Sequence, residues 1–309
     1  MNKLWAVIIA TLLLCSSCQI GAPLEDCDYN VRLTFYYSNY AGANQLRDYV
    51  TSMTDYLYDA QGRLVSVMTR ARAQVLTRTA QLPPGDYTLV SWGNLAGKTT
   101  VTPLPLQGML WSAMGLRQAA PAMPPPAAQY NGERLHYARV EFSVPASGVV
   151  RRTVYAGHAY LNLKVTVAGL PGARGQDYVM RLDGTHPGYG FAHYNTVGTQ
   201  GFTMYVPRLH REETVPHLVS GCRGNGYGEV SGEFVAARLT GETIPVFSLW
   251  QGDKQVLRDV DLKTFFDTML IDMDNNECQN FEIRVTVDGS RVYIQFVTLG
   301  DWIDGGSFG

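Results

Sequence analysis

Short runs in which polar and apolar residues alternate dominate the chain from residue 29 onward. Residues 29–36, 134–144 and 160–167 carry apolar side chains at about every second position, which is typical of a strand with one buried face. Turns rich in Gly, Pro and Asp separate such runs, as at residues 59–62 and 288–290. Many short strands joined by tight turns predict an all-β protein built from sandwiches or barrels.

Two segments depart from this alternating pattern. Between residues 102 and 130 the alternation is lost and six prolines occur; a long irregular loop of this kind is usually functional or mobile. Between residues 262 and 273 the apolar side chains recur at helical spacing instead. We therefore expect a long loop in the first half and one short helix in the second, with Asp261 capping the helix.

The strands fall into two halves of similar length. Residues 145–148, Pro-Ala-Ser-Gly, interrupt the pattern, and we place the domain boundary beside them. A chain of 309 residues is long enough for two medium-sized domains. The prediction is an N-terminal β-sandwich domain at residues 27–150 and a C-terminal β-sandwich domain at residues 151–309, with the short helix in the second.

The first residues have the pattern of an export signal. A positively charged start precedes an apolar run at residues 4–14, which is shorter than the roughly 20 residues that span a bilayer. Ser17 then precedes Cys18, and a small residue directly before a cysteine is typical of lipoprotein signals. We therefore predict a signal peptide at residues 1–17, lipid attachment at Cys18 and a tether at residues 18–26. An ordinary signal peptide is the alternative.

Composition and charge reduce the number of function classes that fit this chain. The net charge is −2 and charged residues make up 17% of the chain, so nothing favours a nucleic-acid partner. The chain also lacks a serine nucleophile elbow, a phosphate-binding loop and a dinucleotide-binding fingerprint. We therefore expect a binding or structural protein without a cofactor, and not an enzyme.

Three cysteines follow the tether: Cys27, Cys222 and Cys278. Because an exported protein meets oxidising surroundings, one disulfide among them is an open prediction. The sequence does not choose between the three pairings, and three free thiols are an equal alternative. No cysteine or histidine spacing matches a metal site.

Several segments, in this order behind Cys18, resemble a known family. They lie at residues 27–35, 58–65, 82–93, 161–171, 188–191 and 300–302. Each segment alone is a strand plus a turn, but together they resemble the FimB/Mfa2 family, the lipoprotein anchor and accessory subunits of Bacteroidetes fimbriae. The resemblance covers nearly the whole mature chain.

The resemblance implies a fold and a function. It implies two transthyretin-like β-sandwich domains in tandem. It also implies an outer-membrane, cell-surface lipoprotein that anchors a fimbria or serves as its accessory subunit. Its partners would be shaft or accessory subunits, joined by β-strand addition, and the membrane, bound through Cys18.

In shaft subunits of this family, cleavage after an arginine removes the first strand and the lipid. Here no Lys or Arg lies between Cys18 and Val31. Arg32 lies within the first predicted strand and Arg47 follows it, so a cut at Arg47 would make a shaft-like or tip-like subunit. We favour the uncut anchor. For the last strand, at residues 292–299, we favour completion of the second sandwich over donation to a neighbour.

Two further hypotheses come from particular residues. The aromatic side chains of Trp111, Tyr189, Phe191 and Tyr194 could line a sugar-binding face, which makes a glycan-binding lipoprotein or adhesin the alternative function. Residues 272–277, DMDNNE, have the composition of a calcium loop but lack its Gly and its final Glu. A polar end to the helix is the simpler interpretation.

Overall fold

The computed structural model is built almost entirely of β-strands, as the sequence predicts. It describes residues 28–38, 42–118, 128–129, 132–171, 178–186, 188–191, 203–205, 209–210, 227–276 and 278–298. Among these residues, no helix is long and apolar enough to cross a membrane.

The elements follow one another in this order. The first half holds β1 (Val31–Tyr36), α1 (Leu46–Tyr49), β2 (Ser52–Asp59), β3 (Leu64–Ala71), β4 (Thr77–Ala80), β5 (Gly85–Gly93), β6 (Thr99–Thr102), β7 (Gly115–Gln118), β8 (Ala128–Gln129), β9 (His136–Val144) and β10 (Val150–His158). The second half holds β11 (Tyr160–Pro171), β12 (Tyr178–Thr185), β13 (Gly188–Gly190), β14 (Thr203–Tyr205), β15 (Leu209–His210), β16 (Tyr227–Ala237), β17 (Val246–Gln251), β18 (Lys254–Asp261), α2 (Leu262–Thr268), β19 (Gln279–Asp288) and β20 (Arg291–Thr298).

The first sandwich is one sheet folded over on itself, in the order β3-β2-β5-β9-β10-β1-β4. The fold occurs in β10. Residues 150–155 of β10 run parallel to β1, whereas residues 156–158 pair antiparallel with β9. This switch forms two layers, β10-β1-β4 and β3-β2-β5-β9. Apolar side chains from both layers form one core, among them Leu33 and Phe35 of β1, Leu57 of β2 and Phe142 of β9.

The second sandwich has two separate five-stranded sheets, β15-β16-β11-β19-β20 and β18-β17-β12-β14-β8. Their inner faces meet in an apolar core, to which α2 adds Leu262 and Phe266. The predicted cap of α2 is confirmed, because the Asp261 carboxylate accepts hydrogen bonds from the Thr264 backbone N–H at 3.0 Å and from its hydroxyl at 2.7 Å.

A small sheet of three strands, β13-β7-β6, covers part of the outer face of β2, β5 and β9. The layer between them contains aromatic side chains from both halves of the chain: Tyr56, Tyr58, Trp92, Tyr137, Tyr189 and Phe191. Because β7 comes from the first half and β13 from the second, this sheet joins the two sandwiches.

Three details of the fold bear on the predictions made from the sequence: the segment predicted to be irregular, the strand β10 and the domain boundary. The segment predicted to be irregular, residues 102–130, contains β7 and β8, with residues 119–127 outside the described part. β10 has only weak alternation, and the sequence does not predict it. The domain boundary at residue 150 stays a prediction, since the strand that begins there pairs within the first sandwich; the transthyretin-like topology likewise stays a prediction.

Candidate functional site

The first strand is held on both sides. β1 forms six parallel residue pairs with β10 and four antiparallel pairs with β4. Its inward side chains, Val31, Leu33 and Phe35, are fully buried in the first core. Burial of each such side chain contributes roughly 1.5–3 kcal/mol to folding. The core of the first sandwich is therefore incomplete without β1.

A buried ionic cluster lies next to β1. The Asp55 carboxylate on β2 accepts two hydrogen bonds from the Arg70 guanidinium, at 2.7 and 3.0 Å, and one from the Ser91 hydroxyl at 2.6 Å. Arg78 of β4 approaches the same carboxylate at 3.2 Å from the opposite layer. Burial lowers the pKa of Arg78. One carboxylate thus ties the two layers together through the core.

Arg70 also closes the gap between β3 and β4. Its Nη1 donates to the backbone carbonyls of Gln74, Val75 and Thr77, at 2.9, 2.9 and 3.2 Å. Its guanidinium carbon lies 4.3 Å from the centre of the Phe35 ring of β1, a cation–π distance. The Gln74 and Val75 carbonyls lie in the connection before β4, so the side chain supplies donors there that the sheet does not.

Sequence reasoning overlooked this cluster, although one signal was present. Asp55 occupies a core-facing position of β2, between the buried Met53 and Leu57. A carboxylate at such a position requires partners, because an unpaired buried charge is very costly. The identity of those partners depended on long-range pairing.

The two candidate maturation sites differ in their surroundings. Arg32 lies within β1, with its backbone in the sheet and its side chain exposed. Arg47 lies in α1, where its Nη2 donates to the Ala73 carbonyl at 2.8 Å and its own carbonyl accepts from Arg72 Nε at 2.7 Å. The flanking side chains Leu46 and Val50 are fully buried. The backbone at Arg47 is therefore held in place by these two hydrogen bonds and by the burial of the flanking side chains.

The predicted lipid site and most of the predicted cysteine set lie outside the described residues. This applies to Cys18, Cys27 and Cys222. Cys278 lies half-buried directly before β19. Lipid attachment and the disulfide therefore both stay predictions.

Two aromatic side chains proposed for a sugar-binding face lie in the interior. Tyr189 and Phe191 are 3% and 1% exposed and pack between the small sheet and β2-β5-β9. The Tyr189 hydroxyl donates to the Ala159 carbonyl and accepts from the Arg238 backbone N–H at 3.0 Å. These residues therefore join the two halves and cannot present a ligand face; Tyr194 lies outside the described residues.

Trp111, the remaining member of that set, borders an open cleft of about 650 Å³. The cleft also contains the carboxylates of Asp59, Asp86 and Glu141 and the side chain of Arg152. Asp59 accepts backbone hydrogen bonds within the β2–β3 turn, and Asp86 accepts one from the Ser143 hydroxyl. We call this feature the Trp111 cleft.

Two histidines are buried where the two sandwiches meet. His136 of β9 and His158 of β10 have ring centres 5.1 Å apart. The His158 Nε2 lies 2.5 Å from the Tyr37 hydroxyl. Burial lowers the pKa of His136 to about 4 and that of His158 to about 3, the latter also because of the neighbouring His136, Arg238 and Arg134. Both rings are therefore neutral at pH 7.

The segment with the composition of a calcium loop, residues 272–277, is held in place by hydrogen bonds from an arginine. The buried Arg238 donates from Nη2 to the carbonyls of Met273 and Asp274, each at 3.2 Å, and to that of Asn276. The Asp272 carboxylate accepts from the backbone N–H groups of Asp274 and Asn275. Carbonyls that could face a cation therefore face a guanidinium, and among the described residues no cluster could hold a metal ion.

The described residues form an all-β sandwich fold in which β1 is paired on both sides. A family model for fimbrillin-A associated anchor proteins Mfa1 and Mfa2 matches residues 24–303. The chain belongs to this family, which confirms the resemblance seen in the sequence. The family consists of fimbria-associated proteins of the cell surface and is not an enzyme family.

Solved structures agree on the fold. The fimbrial anchor protein Mfa2 from Porphyromonas gingivalis aligns with a TM-score of 0.65 at 16% identity, covering 86% of this chain and 98% of that chain. A candidate adhesin from Bacteroides thetaiotaomicron VPI-5482 aligns with a TM-score of 0.69 at 15% identity, covering 90% and 98%.

A candidate polysaccharide-binding protein from the same Bacteroides strain aligns with a TM-score of 0.67 at 12% identity, covering 88% of this chain and 99% of that chain. At such identities the likeness shows the fold alone. A search of curated protein sequences finds no significant match.

Proposed function

We propose that this chain is an outer-membrane lipoprotein that anchors a cell-surface fimbria through Cys18 and keeps its first strand after export. The observation that carries the proposal is the placement of β1, which is paired on both sides and fills the first core. A subunit that loses this strand must have it replaced by a neighbour's strand, whereas an anchor must keep it to stay attached.

The surroundings of Arg47 support retention of β1. Proteolytic nicking concentrates at exposed loop tips, but Arg47 lies in a helical turn between two buried side chains and is tied to Ala73 and Arg72. Cleavage there would require local unfolding of α1. Cleavage at Arg32 would require β1 to leave the sheet.

Strand addition then requires an available edge. β20 pairs along one side with β19, and among the described residues no strand pairs with its other side. Val292, Tyr293 and Val297 of β20 are 40–52% exposed. An edge strand with exposed apolar side chains is a template for a further strand, so we place the contact with the next fimbrial subunit at β20.

The lipid anchor is tested with labelled palmitate in cells. We expect label in the wild-type chain and in Cys15→Ala, the matched control, and none in Cys18→Ala. Fimbriae should detach into the medium in the Cys18→Ala strain. Equal labelling of Cys18→Ala and the wild type would contradict the anchor.

Retention of β1 is tested by the mass of the mature chain on the cell surface. We expect an N-terminus at the acylated Cys18 in the wild type and in Arg47→Ala. A wild-type chain that starts at Asp48, together with a longer chain in Arg47→Ala, would assign the protein to the cleaved subunits instead.

A second candidate function, glycan binding, rests on the Trp111 cleft. Aromatic faces and planar carboxylates are suited to sugar rings and hydroxyl groups, and one structural relative is described as a candidate polysaccharide-binding protein. Binding of the purified chain to a glycan array, lost in both Trp111→Ala and Glu141→Gln, would favour this function. Binding that survives both substitutions would exclude the cleft.

A further inference from the structure

The outer face of the layer β10-β1-β4 has an unusual composition. On β1 the outward side chains are Arg32, Thr34 and Tyr36, and their parallel partners on β10 are Arg151, Thr153 and Tyr155. Opposite Arg32 and Thr34, β4 contributes Thr79 and Thr77. None of these positions is acidic. We call this surface the Arg–Thr–Tyr face.

The arginines of this face lack charge compensation. Arg32 lies directly beside Arg151, and both side chains are exposed. Among the described residues, no carboxylate forms an ion pair with either of them. Like charges on neighbouring strand positions are destabilising, so an anionic partner would remove an unfavourable repulsion.

The aromatic end of the face is also exposed. The rings of Tyr36 and Tyr155 meet edge to face, with centres 5.8 Å apart, and Tyr155 is 71% exposed. Tyrosine is enriched where one end of a side chain contacts lipid headgroups and the other contacts water. Arginine and tyrosine on one flat surface therefore fit a membrane interface.

The position of the face in the chain favours the same partner. Arg32 lies at the start of β1, close behind the tether at residues 18–26. The thirteen residues 18–30 span at most roughly 45 Å, so the lipid on Cys18 would keep this end of β1 within that distance of the bilayer. We propose that the Arg–Thr–Tyr face binds the anionic headgroup surface of the membrane that holds the anchor, an inference that rests on lipid attachment at Cys18.

The test adds the mature chain, purified from cells, to phosphatidylcholine vesicles with and without phosphatidylglycerol. The rate of hydroxyl-radical oxidation of Tyr155 measures how accessible the Arg–Thr–Tyr face is to solvent. Oxidation of Tyr293, which is 50% exposed on β20, is the internal control. We expect phosphatidylglycerol to slow oxidation of Tyr155 several-fold without changing that of Tyr293. High salt should reverse the protection, because it shortens the range of the attraction.

The matched variants carry two charge reversals each. Arg32→Glu with Arg151→Glu should abolish the protection of Tyr155, since each arginine near an anionic surface favours contact about five-fold. Lys254→Glu with Arg258→Glu, at exposed positions on β18, should leave it unchanged. Equal loss in both variants would overturn the proposal.

Flotation with the vesicles separates the two proposals. A chain that fails to float lacks the lipid anchor, which would contradict the proposed function. A chain that floats while Tyr155 is oxidised equally in both vesicle types would overturn the membrane-facing surface alone. Protection of Tyr155 on fimbriated cells with none in anionic vesicles would assign the face to a protein partner, which also overturns it.

Discussion

The two sandwiches share one arrangement and differ in what stabilises it. In each half of the chain, the first strand lies between an antiparallel and a parallel neighbour: β1 forms six parallel pairs with β10, and β11 forms eight with β19. The second core consists of apolar side chains, and the buried Arg238 beside it donates to backbone carbonyls. In the first sandwich, the carboxylate of Asp55 and the guanidinium groups of Arg70 and Arg78 are buried beside the apolar residues.

This difference follows from how each sandwich is closed. The second sandwich has two separate sheets, and its buried arginine, Arg238, lies directly after β16 and donates to backbone carbonyls. The first has one sheet that folds back on itself, which leaves a seam between β3 and β4. Asp55, Arg70 and Arg78 bridge that seam. The strand β1 lies against them, so retention of β1 and stability of the ionic cluster should depend on each other.

The largest expected effect comes from removing the buried carboxylate. Asp55→Ala leaves Arg70 and Arg78 as buried charges without a counterion, and we expect the free energy of unfolding of the first sandwich to fall by about 3–5 kcal/mol. Denaturant unfolding followed by tryptophan fluorescence measures this loss. Ser91→Ala, which removes one hydrogen bond to the same carboxylate, should cost about 1 kcal/mol. A loss in Asp55→Ala that is no larger than about 1 kcal/mol would show that the ionic cluster contributes little.

The corresponding weak point of the second sandwich is a glycine. Gly169 lies at the bulge of β11 with φ of +83°, and an added Cβ would lie 2.1 Å from the Val287 carbonyl oxygen. Gly169→Ala should therefore separate β11 from β19 and cost about 3 kcal/mol. Gly252→Ala, at φ of +58° in open space, should cost about 1 kcal/mol. Equal decreases in the melting temperature of the two variants would contradict the steric argument.

Lowering the pH should destabilise the region where the two sandwiches meet, because His136 and His158 are buried there. The pKa of His136 is lowered to about 4 and that of His158 to about 3 by burial. The unfolded chain therefore takes up protons below pH 6.5 while the folded chain does not. Their stability contribution is complete above pH 6.5 and is lost as the pH falls, by about 2 kcal/mol for each histidine at about pH 5. The stability contribution continues to fall until the pH is below the pKa values that the two histidines have in the folded chain.

Unfolding free energies measured at several pH values between 6.5 and 5 test this dependence. His136→Phe should make the slope of stability against pH clearly shallower, because the substituted side chain takes up no proton. An unchanged slope in His136→Phe would assign the acid sensitivity to other groups.

The smallest expected effect lies at the helix of the second sandwich. Asp261→Ala removes the cap of α2 and should cost about 1 kcal/mol. Asp267→Ala, which removes the exposed ion pair with Lys263, should cost no more than about 0.5 kcal/mol. Calorimetry that finds the larger loss in Asp267→Ala would contradict this ranking.

Local patterns determined the strands, the turns and the helix of this protein. Alternation of apolar residues marked β1, β9 and β11, and Asp261 marked the start of α2, because these features depend on side-chain direction and backbone geometry within a few residues. The family resemblance rested on the same strand-and-turn segments. The function class could therefore be predicted from the sequence.

Long-range pairing decided the rest. β10 carries two adjacent arginines and weak alternation, and it is a strand because β1 and β9 pair with it. Asp55 met Arg78 only because β2 and β4 lie in facing layers. Tyr189 and Phe191 were buried because β13 pairs with β7. In each case the partner lies far away in the chain, and contacts of that kind exist only once the layers have packed.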